Sequence, residues 1–217
     1  MSPASALAVF DRLAETRLIP ILEIPSIEVA VPLAEALAGE GLDCVEVTLR
    51  TPAALGAIRA IRRAYPDLLL GAGTVLSSTQ ASEALEAGSD FLVSPALNLD
   101  VADHCQQARA TLIPGVCTPS EIEVALGHGI DVLKFFPAEA IGGVRALRAY
   151  AGPYPHIRFI PTGGIDASNV LQYLALPSVI ACGGSWMVRK DLVAAGDFAA
   201  IRLLAAEAVA LAQAAAV

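Results

Sequence analysis

Residues 43–64 read DCVEVTLRTPAALGAIRAIRRA and join a strand pattern directly to a helix pattern. The first part is short and rich in valine and threonine, as strands are. The second part follows Thr51-Pro52, a favourable pair of residues for starting a helix. The same order of strand and helix recurs about every 19–27 residues along the chain. This repetition predicts an α/β fold with parallel strands.

Eight such units fit into the chain without a linker. The predicted strands cover residues 18–24, 43–49, 68–72, 91–94, 111–114, 132–136, 157–161 and 179–182. A further helix is predicted at 4–15 and a last one at 198–215. The pattern favours one domain over residues 1–217, a (β/α)8 TIM barrel with an extra N-terminal helix. A doubly wound open sheet competes, but no G-x-G-x-x-G follows the first strand, and the glycine-rich loops come late.

Composition excludes several classes of protein. The net charge of −8 and the absence of a long basic cluster argue against a nucleic-acid partner. The longest charge-free stretch, between Asp166 and Arg189, contains proline and a glycine pair and is a poor membrane span. The N-terminus lacks a basic segment, so we expect no signal peptide and a cytoplasmic protein. The four cysteines and three histidines show no ligand-like spacing, so no metal and no cofactor are predicted.

Lys134 is one of two lysines in a chain with twelve arginines, and it lies in Asp131-Val-Leu-Lys-Phe-Phe-Pro137. An ammonium inside a short apolar strand is costly unless it is paired or neutral. An enzyme that needs a neutral amine to attack a ketone can use that cost. The alternative is a lysine whose stem is buried while its head reaches solvent at the strand end.

The strand within residues 43–49 carries the second candidate group. Alternation places Glu46, Thr48 and Arg50 on one face and the apolar residues on the face that packs against helices. Glu46 and Arg50 are therefore predicted to point into the barrel. A buried Glu–Arg pair could be structural, or it could supply a proton shuttle and a carboxylate clamp. The residues alone leave both interpretations open.

The ends of the other strands add hydroxyls and glycines. Thr74 follows Gly71-Ala-Gly, and Pro95 follows the fourth strand. Glycine pairs follow the seventh and eighth strands, at 163–164 and 183–184, and a polar helix start is predicted at 166–168. Such loops can present backbone N–H groups to a phosphate. One lysine, one glutamate, one arginine and a phosphate cradle suit carbonyl chemistry through a lysine imine.

The order of these motifs resembles that of the 2-keto-3-deoxy-6-phosphogluconate aldolases over nearly the whole chain. The matching blocks are Glu46-Val-Thr-Leu-Arg50, Gly71-Ala-Gly-Thr74, Ile113-Pro-Gly115, Lys134-Phe-Phe-Pro-Ala-Glu139, Gly142-Gly143, Pro161-Thr-Gly-Gly164 and Gly183-Gly-Ser-Trp186. The resemblance implies a class I aldolase on a (β/α)8 barrel, usually a homotrimer. It would cleave the phosphorylated keto-sugar acid to pyruvate and glyceraldehyde 3-phosphate in the Entner–Doudoroff pathway. Many members of the family also act on 4-hydroxy-2-oxoglutarate.

The same resemblance implies a role for each matching residue. Lys134 would form the imine, and Glu46 would move protons. The groups around the substrate would be Arg50 and Thr74 at its carboxylate, Pro95 and Phe136 along the pocket, and Gly163, Gly164, Gly184 and Ser185 at its phosphate. The chain departs from the family pattern at Ala96 and Cys117, and at Glu23 in a first strand that is usually more apolar.

Other functions remain open at this point. The preferred substrate could instead be 2-dehydro-3-deoxy-6-phosphogalactonate. A phosphosugar isomerase or epimerase could use Glu46 as a base without an imine. A catalytically silent oligomeric scaffold is a third alternative, although every inward polar group that a lyase needs is present. The expected partners are a small-molecule substrate and other copies of the chain, with no nucleic acid and no membrane.

Overall fold

The computed structural model describes residues 6–214, and residues 1–5 and 215–217 lie outside it. The strands are β1 (Leu18–Leu22), β2 (Cys44–Thr48), β3 (Leu69–Gly73), β4 (Phe91–Val93), β5 (Thr111–Ile113), β6 (Gly115–Val116), β7 (Val132–Phe135), β8 (Arg158–Pro161) and β9 (Cys182–Gly184). The helices are α1 (Ala6–Thr16), α2 (Ala30–Ala38), α3 (Ala54–Ala64), α4 (Ser78–Ala87), α5 (Leu99–Ala108), α6 (Pro119–Gly127), α7 (Gly143–Ala151), α8 (Val170–Leu174), α9 (Lys190–Ala195) and α10 (Phe198–Ala214). Two 3-10 helices cover Ile27–Val29 and Glu139–Ile141. The predicted helices at 4–15 and 198–215 correspond to α1 and α10, and their residues 4, 5 and 215 lie outside the described residues.

The strands pair in parallel, as the repeated strand–helix order predicts. One sheet has the order β5-β4-β3-β2-β1-β9, and a second has the order β6-β7-β8. The two sheets touch at both edges. At one edge, the backbone amide of Lys134 in β7 donates a hydrogen bond of 2.9 Å to the carbonyl of Pro114, the residue between β5 and β6. At the other edge, Thr162, which follows β8, forms a parallel β-bridge with Gly183 of β9.

Six predicted strands agree with the observed ones to within one or two residues at each end, and the other two differ more. The fifth, at 111–114, continues to Val116 but is split at Pro114, because proline has no N–H to donate to a ladder. The eighth was predicted at 179–182 and is observed at Cys182–Gly184. Its glycines therefore belong to the strand rather than to a loop. A Cβ on Gly183 would lie 2.5 Å from Thr162 Oγ1, so the close approach of β8 requires glycine.

The apolar residues separate into two clusters that reflect strand alternation. In β2, Val45 and Val47 belong to the large cluster that packs strands against helices, whereas Cys44 belongs to a smaller one. The smaller cluster also contains Val132 of β7 and Val9 of α1. The face of Cys44 is thus the inner face of the sheets, and Glu46 and Thr48 share it by alternation. Lys134 shares the inner face with Val132.

Helix α1 covers the end of the sheets at which the strands begin. Its Val9 and Leu13 are fully buried in the inner cluster, among residues near the starts of the strands. The opposite end, where parallel strands finish, is the end at which α/β folds place their functional groups. The polar residues of the inner face lie there.

Candidate active site

Lys134 and Glu46 form a buried ion pair on the inner face. The distance from Lys134 Nζ to Glu46 Oε1 is 3.7 Å, and the two side chains are 9% and 4% exposed. Glu46 Oε1 accepts no hydrogen bond from the described residues, although it is buried. An unsatisfied buried polar atom costs about 1–3 kcal/mol and calls for a functional explanation. The prediction that Glu46 points inward is confirmed, and Lys134 does not extend to solvent.

Gly73 makes room for Glu46. Gly73 pairs with Thr48 in the ladder between β2 and β3, and a Cβ at Gly73 would lie 1.9 Å from Glu46 Oε1. No side chain could be added there without moving the carboxylate. The sequence shows the small residues Gly71-Ala-Gly at this strand end but not the group that they make room for.

Of the two predicted pocket residues, Phe136 lies next to Lys134 and Pro95 lies next to its ladder partner. The Lys134 Nζ is 5.0 Å from the centroid of the Phe136 ring, within the range of a cation–π contact. Gly115 pairs with Lys134 in register, and a Cβ there would lie 2.1 Å from the Pro95 carbonyl oxygen. Pro95 therefore packs against the strand neighbour of the lysine.

Thr74 has an unusual backbone. Its φ of 59° lies in the left-handed region, which β-branched residues rarely adopt. It follows β3 directly, at the carboxyl end of the strand that bears Gly73. Such backbone strain costs about 1–3 kcal/mol and clusters at functional sites. It is found here at Thr74, the residue that the family resemblance places at the substrate carboxylate.

The predicted Glu46–Arg50 pair does not form. Strand β2 ends at Thr48, so the alternation of side-chain directions that predicts an inward Arg50 does not continue to residue 50. Arg50 lies instead at the exposed rim, where its Nη1 is 3.3 Å from Glu23 Oε2. Glu23 Oε1 in turn accepts a hydrogen bond of 2.7 Å from Lys190 Nζ. We call Arg50, Glu23 and Lys190 the rim cluster.

The predicted phosphate residues lie side by side. Gly163 and Gly184 each follow a residue of the Thr162–Gly183 bridge, so the two glycine segments run in parallel past each other. Gly163 and Gly164 have φ values of 101° and 77°, which favour glycine. Ser185 is exposed at the end of β9. The polar helix start predicted at 166–168 is wrong, because α8 begins at Val170 after turns around Asp166.

Glu139 and Tyr173 support this loop, and the sequence does not predict that role for either residue. The Tyr173 hydroxyl donates to Glu139 Oε1. The Glu139 amide donates to the Gly163 carbonyl at 3.1 Å, and a Cβ on Gly164 would lie 2.7 Å from Glu139 Cβ. Burial, followed by the bond to Glu139, raises the pKa of Tyr173, so the hydroxyl stays protonated and donates. Tyr173 lies in an ordinary apolar helix pattern, which gives no sign of this contact.

Neither the Cys117 thiol nor a cluster of metal-binding side chains competes with the lysine in the part of the chain that the structure describes. Burial and the bond with Glu121 raise the pKa of the Cys117 thiol, which disfavours a thiolate. Residues 6–214 contain no group of three or more histidine, cysteine or acidic side chains that could hold a metal. None of their helices is long and apolar enough to cross a membrane.

A buried lysine–glutamate pair near the ends of parallel strands is an arrangement suited to the amine-dependent carbonyl chemistry of lyases. The family model for KDPG and KHG aldolase matches residues 9–204. The chain therefore belongs to the KDPG and KHG aldolase family.

Individual relatives agree with this assignment. A 2-dehydro-3-deoxy-phosphogluconate aldolase of Treponema pallidum is 49% identical over 91% of this chain and 94% of the relative. A KHG/KDPG aldolase of Escherichia coli is 47% identical over 88% and 90%. A crystal structure of KDPG aldolase from Legionella pneumophila, with pyruvate captured as a covalent carbinolamine intermediate, has a TM-score of 0.89 at 40% identity. It covers 94% of this chain and 97% of that one.

Proposed function

We propose that this protein is a class I aldolase that cleaves 2-dehydro-3-deoxy-6-phosphogluconate to pyruvate and glyceraldehyde 3-phosphate, and that it also accepts 4-hydroxy-2-oxoglutarate. The observation that carries the proposal is the buried pair, in which Lys134 Nζ lies 3.7 Å from the unsatisfied Glu46 Oε1. A carbinolamine is the adduct of an amine and a carbonyl, so pyruvate captured in that form in the Legionella relative supports amine chemistry here.

The mechanism assigns one step to each member of the pair. Lys134 gives up its ammonium proton and attacks the C2 ketone as a neutral amine, and the carbinolamine takes up a proton and loses water to give a protonated imine. Glu46 takes the proton of the C4 hydroxyl, the C3–C4 bond breaks, and its electron pair moves toward the imine nitrogen. The aldehyde leaves, and Glu46 passes its proton to C3 of the enamine. Hydrolysis of the imine releases pyruvate and restores the amine.

Binding roles follow from position. Arg50 and Thr74 hold the substrate carboxylate, since Arg50 follows the strand that carries Glu46 and Thr74 follows the strand paired with it. Pro95 and Phe136 shape the pocket around the imine. Gly163, Gly164, Gly184 and Ser185 hold the phosphate, and their parallel course past the Thr162–Gly183 bridge supports this.

The architecture proposed with this function is one domain of residues 1–217, a closed (β/α)8 barrel. Contacts between the two sheets at both edges support closure, through the Lys134 amide at one edge and Thr162 at the other. A homotrimer and a cytoplasmic location are part of the same proposal. Light scattering tests the trimer, for which the measured mass should be three times that of the chain.

Steady-state pyruvate release tests the activity. We expect the phosphogluconate-derived acid to give the highest kcat/KM, followed by its galactonate-derived epimer and unphosphorylated 4-hydroxy-2-oxoglutarate. Preference for the galactonate-derived acid would reassign the substrate. No pyruvate from any of the three would overturn the lyase assignment in favour of an isomerase, an epimerase or a silent scaffold.

A further inference from the structure

Glu23 lies between the part of the site that contains Arg50 and the part that contains the proposed phosphate loop. It follows β1, which runs between β2 and β9 in the sheet. Ile21 is in register with Glu46, and Pro20 is in register with Gly184. The exit of β1 therefore separates the end of β2, which leads to Arg50, from the end of β9, which carries the proposed phosphate loop.

The Glu23 carboxylate contacts two cations with its two oxygens. Its Oε2 is 3.3 Å from Arg50 Nη1, and its Oε1 is 2.7 Å from Lys190 Nζ. The three residues come from separate segments, after β1, after β2 and at the start of α9. The hydrogen bond from Lys190, helped by the charge of Arg50, lowers the pKa of Glu23 against the opposing effect of burial. Glu23 is thus a carboxylate at neutral pH.

We propose that Glu23 is a specificity-determining residue that competes with the substrate carboxylate for Arg50. The inference rests on the proposed function, in which Arg50 binds that carboxylate. A glutamate and a 2-oxo acid present the same group to a guanidinium, so a bound Glu23 weakens the attraction of Arg50 for the incoming anion. Lys190 moderates the competition, because it holds one oxygen of Glu23 and adds a positive charge to the rim cluster.

The experiment measures the pyruvate concentration that half-saturates borohydride trapping on Lys134, in the wild type and in Glu23→Gln. Glutamine keeps the shape of the side chain and removes its charge. We expect the half-saturating concentration to fall about two- to fivefold, the size of one solvent-exposed charge interaction. The effect should shrink in high salt. The kcat for cleavage should change less than the KM.

A purely structural role for Glu23 predicts the opposite sign. Loss of a structural contact would loosen Arg50 and raise the half-saturating concentration, or leave it unchanged while lowering the melting temperature. Either result would overturn the proposal. Lys190→Ala should raise the half-saturating concentration, because Glu23 then faces Arg50 alone and a cation is lost.

Two further variants test whether the effect of Glu23→Gln on pyruvate binding acts through Arg50. In Arg50→Gln, a second substitution Glu23→Gln should no longer improve binding, since its target is gone. Asp191→Asn breaks the neighbouring Arg189–Asp191 pair, whose 2.6 Å contact is also exposed, and should leave trapping unchanged. An equal gain in Asp191→Asn would show general electrostatics and contradict a specific role for Glu23.

The inference can fail without the proposed function. If the wild type traps pyruvate on Lys134 but Glu23→Gln binds it no better, only the role of Glu23 is lost. If no chain traps pyruvate, the aldolase proposal fails first.

Discussion

The site contains two sets of charges that differ in burial. Lys134 and Glu46 are 9% and 4% exposed, whereas Arg50, Glu23 and Lys190 of the rim cluster are 47%, 28% and 75% exposed. In the interior a charge pair is weakly screened, and each partner depends on the other. At the rim, solvent and salt reduce each interaction to about 1 kcal/mol or less. The same residue types should therefore control chemistry in one place and affinity in the other.

The largest predicted contrast is between the only two lysines of the chain. Lys134→Arg should lower kcat by at least about 10³-fold, because a guanidinium stays charged and cannot form an imine. Lys190→Arg is the matched control and should stay within about threefold of the wild type, since arginine can replace lysine in an exposed ion pair. Retention of a tenth of the wild-type kcat in Lys134→Arg would exclude Lys134 as the nucleophile.

Glu46 and Glu23 should also differ in the kinetic parameter that each one controls. Glu46→Gln should reduce kcat by about 10²–10⁴-fold, the usual contribution of a positioned acid–base group, while pyruvate can still form an imine. Glu23→Gln should act mainly on the half-saturating concentration. Comparable kcat values for Glu46→Gln and the wild type would reduce Glu46 to a structural partner of Lys134.

The glycine loop provides a third comparison, between substrates. Gly164→Val should lower kcat/KM for the phosphorylated substrate by about 2 kcal/mol, roughly thirtyfold, because a branched Cβ blocks the approach to backbone N–H groups. Unphosphorylated 4-hydroxy-2-oxoglutarate should lose much less. Gly41→Val is the control, since Gly41 also has a positive φ, of 89°, but faces open space.

Equal losses on the two substrates would remove the phosphate assignment. They would mean that the new side chain only displaces Glu139, whose Cβ lies 2.7 Å from the added Cβ. Melting temperatures of both glycine variants separate backbone strain from a lost contact.

A smaller effect on kcat is predicted for the space beside Glu46. Gly73→Ala should reduce kcat by about tenfold and destabilise the protein by about 1–3 kcal/mol, because the added Cβ would lie 1.9 Å from the carboxylate. Gly127→Ala, with no atom within 4 Å of its added Cβ, is the control and should be neutral. A fully active and stable Gly73→Ala would mean that Glu46 can move away without consequence.

Alternation along a strand correctly predicts the direction of a side chain when that direction depends on the one strand alone. It placed Glu46 and Thr48 on the inner face, because their strand is regular through those positions. It failed at Arg50, where the strand had already ended and a partner on another segment, Glu23, determines the direction of the side chain. Likewise, the glycines inside β9 depend on how closely a neighbouring segment approaches. Contacts between distant segments, such as that of Tyr173 with Glu139, leave no local pattern.

Peptide mapping after borohydride reduction with pyruvate tests the central claim most directly. With only two lysines in the chain, the modified position can be assigned without ambiguity. We predict a reduced pyruvate adduct on the peptide that contains Lys134 and none on the peptide that contains Lys190. An adduct confined to Lys190, or no adduct at saturating pyruvate, would contradict the assignment of the buried lysine as the imine-forming group.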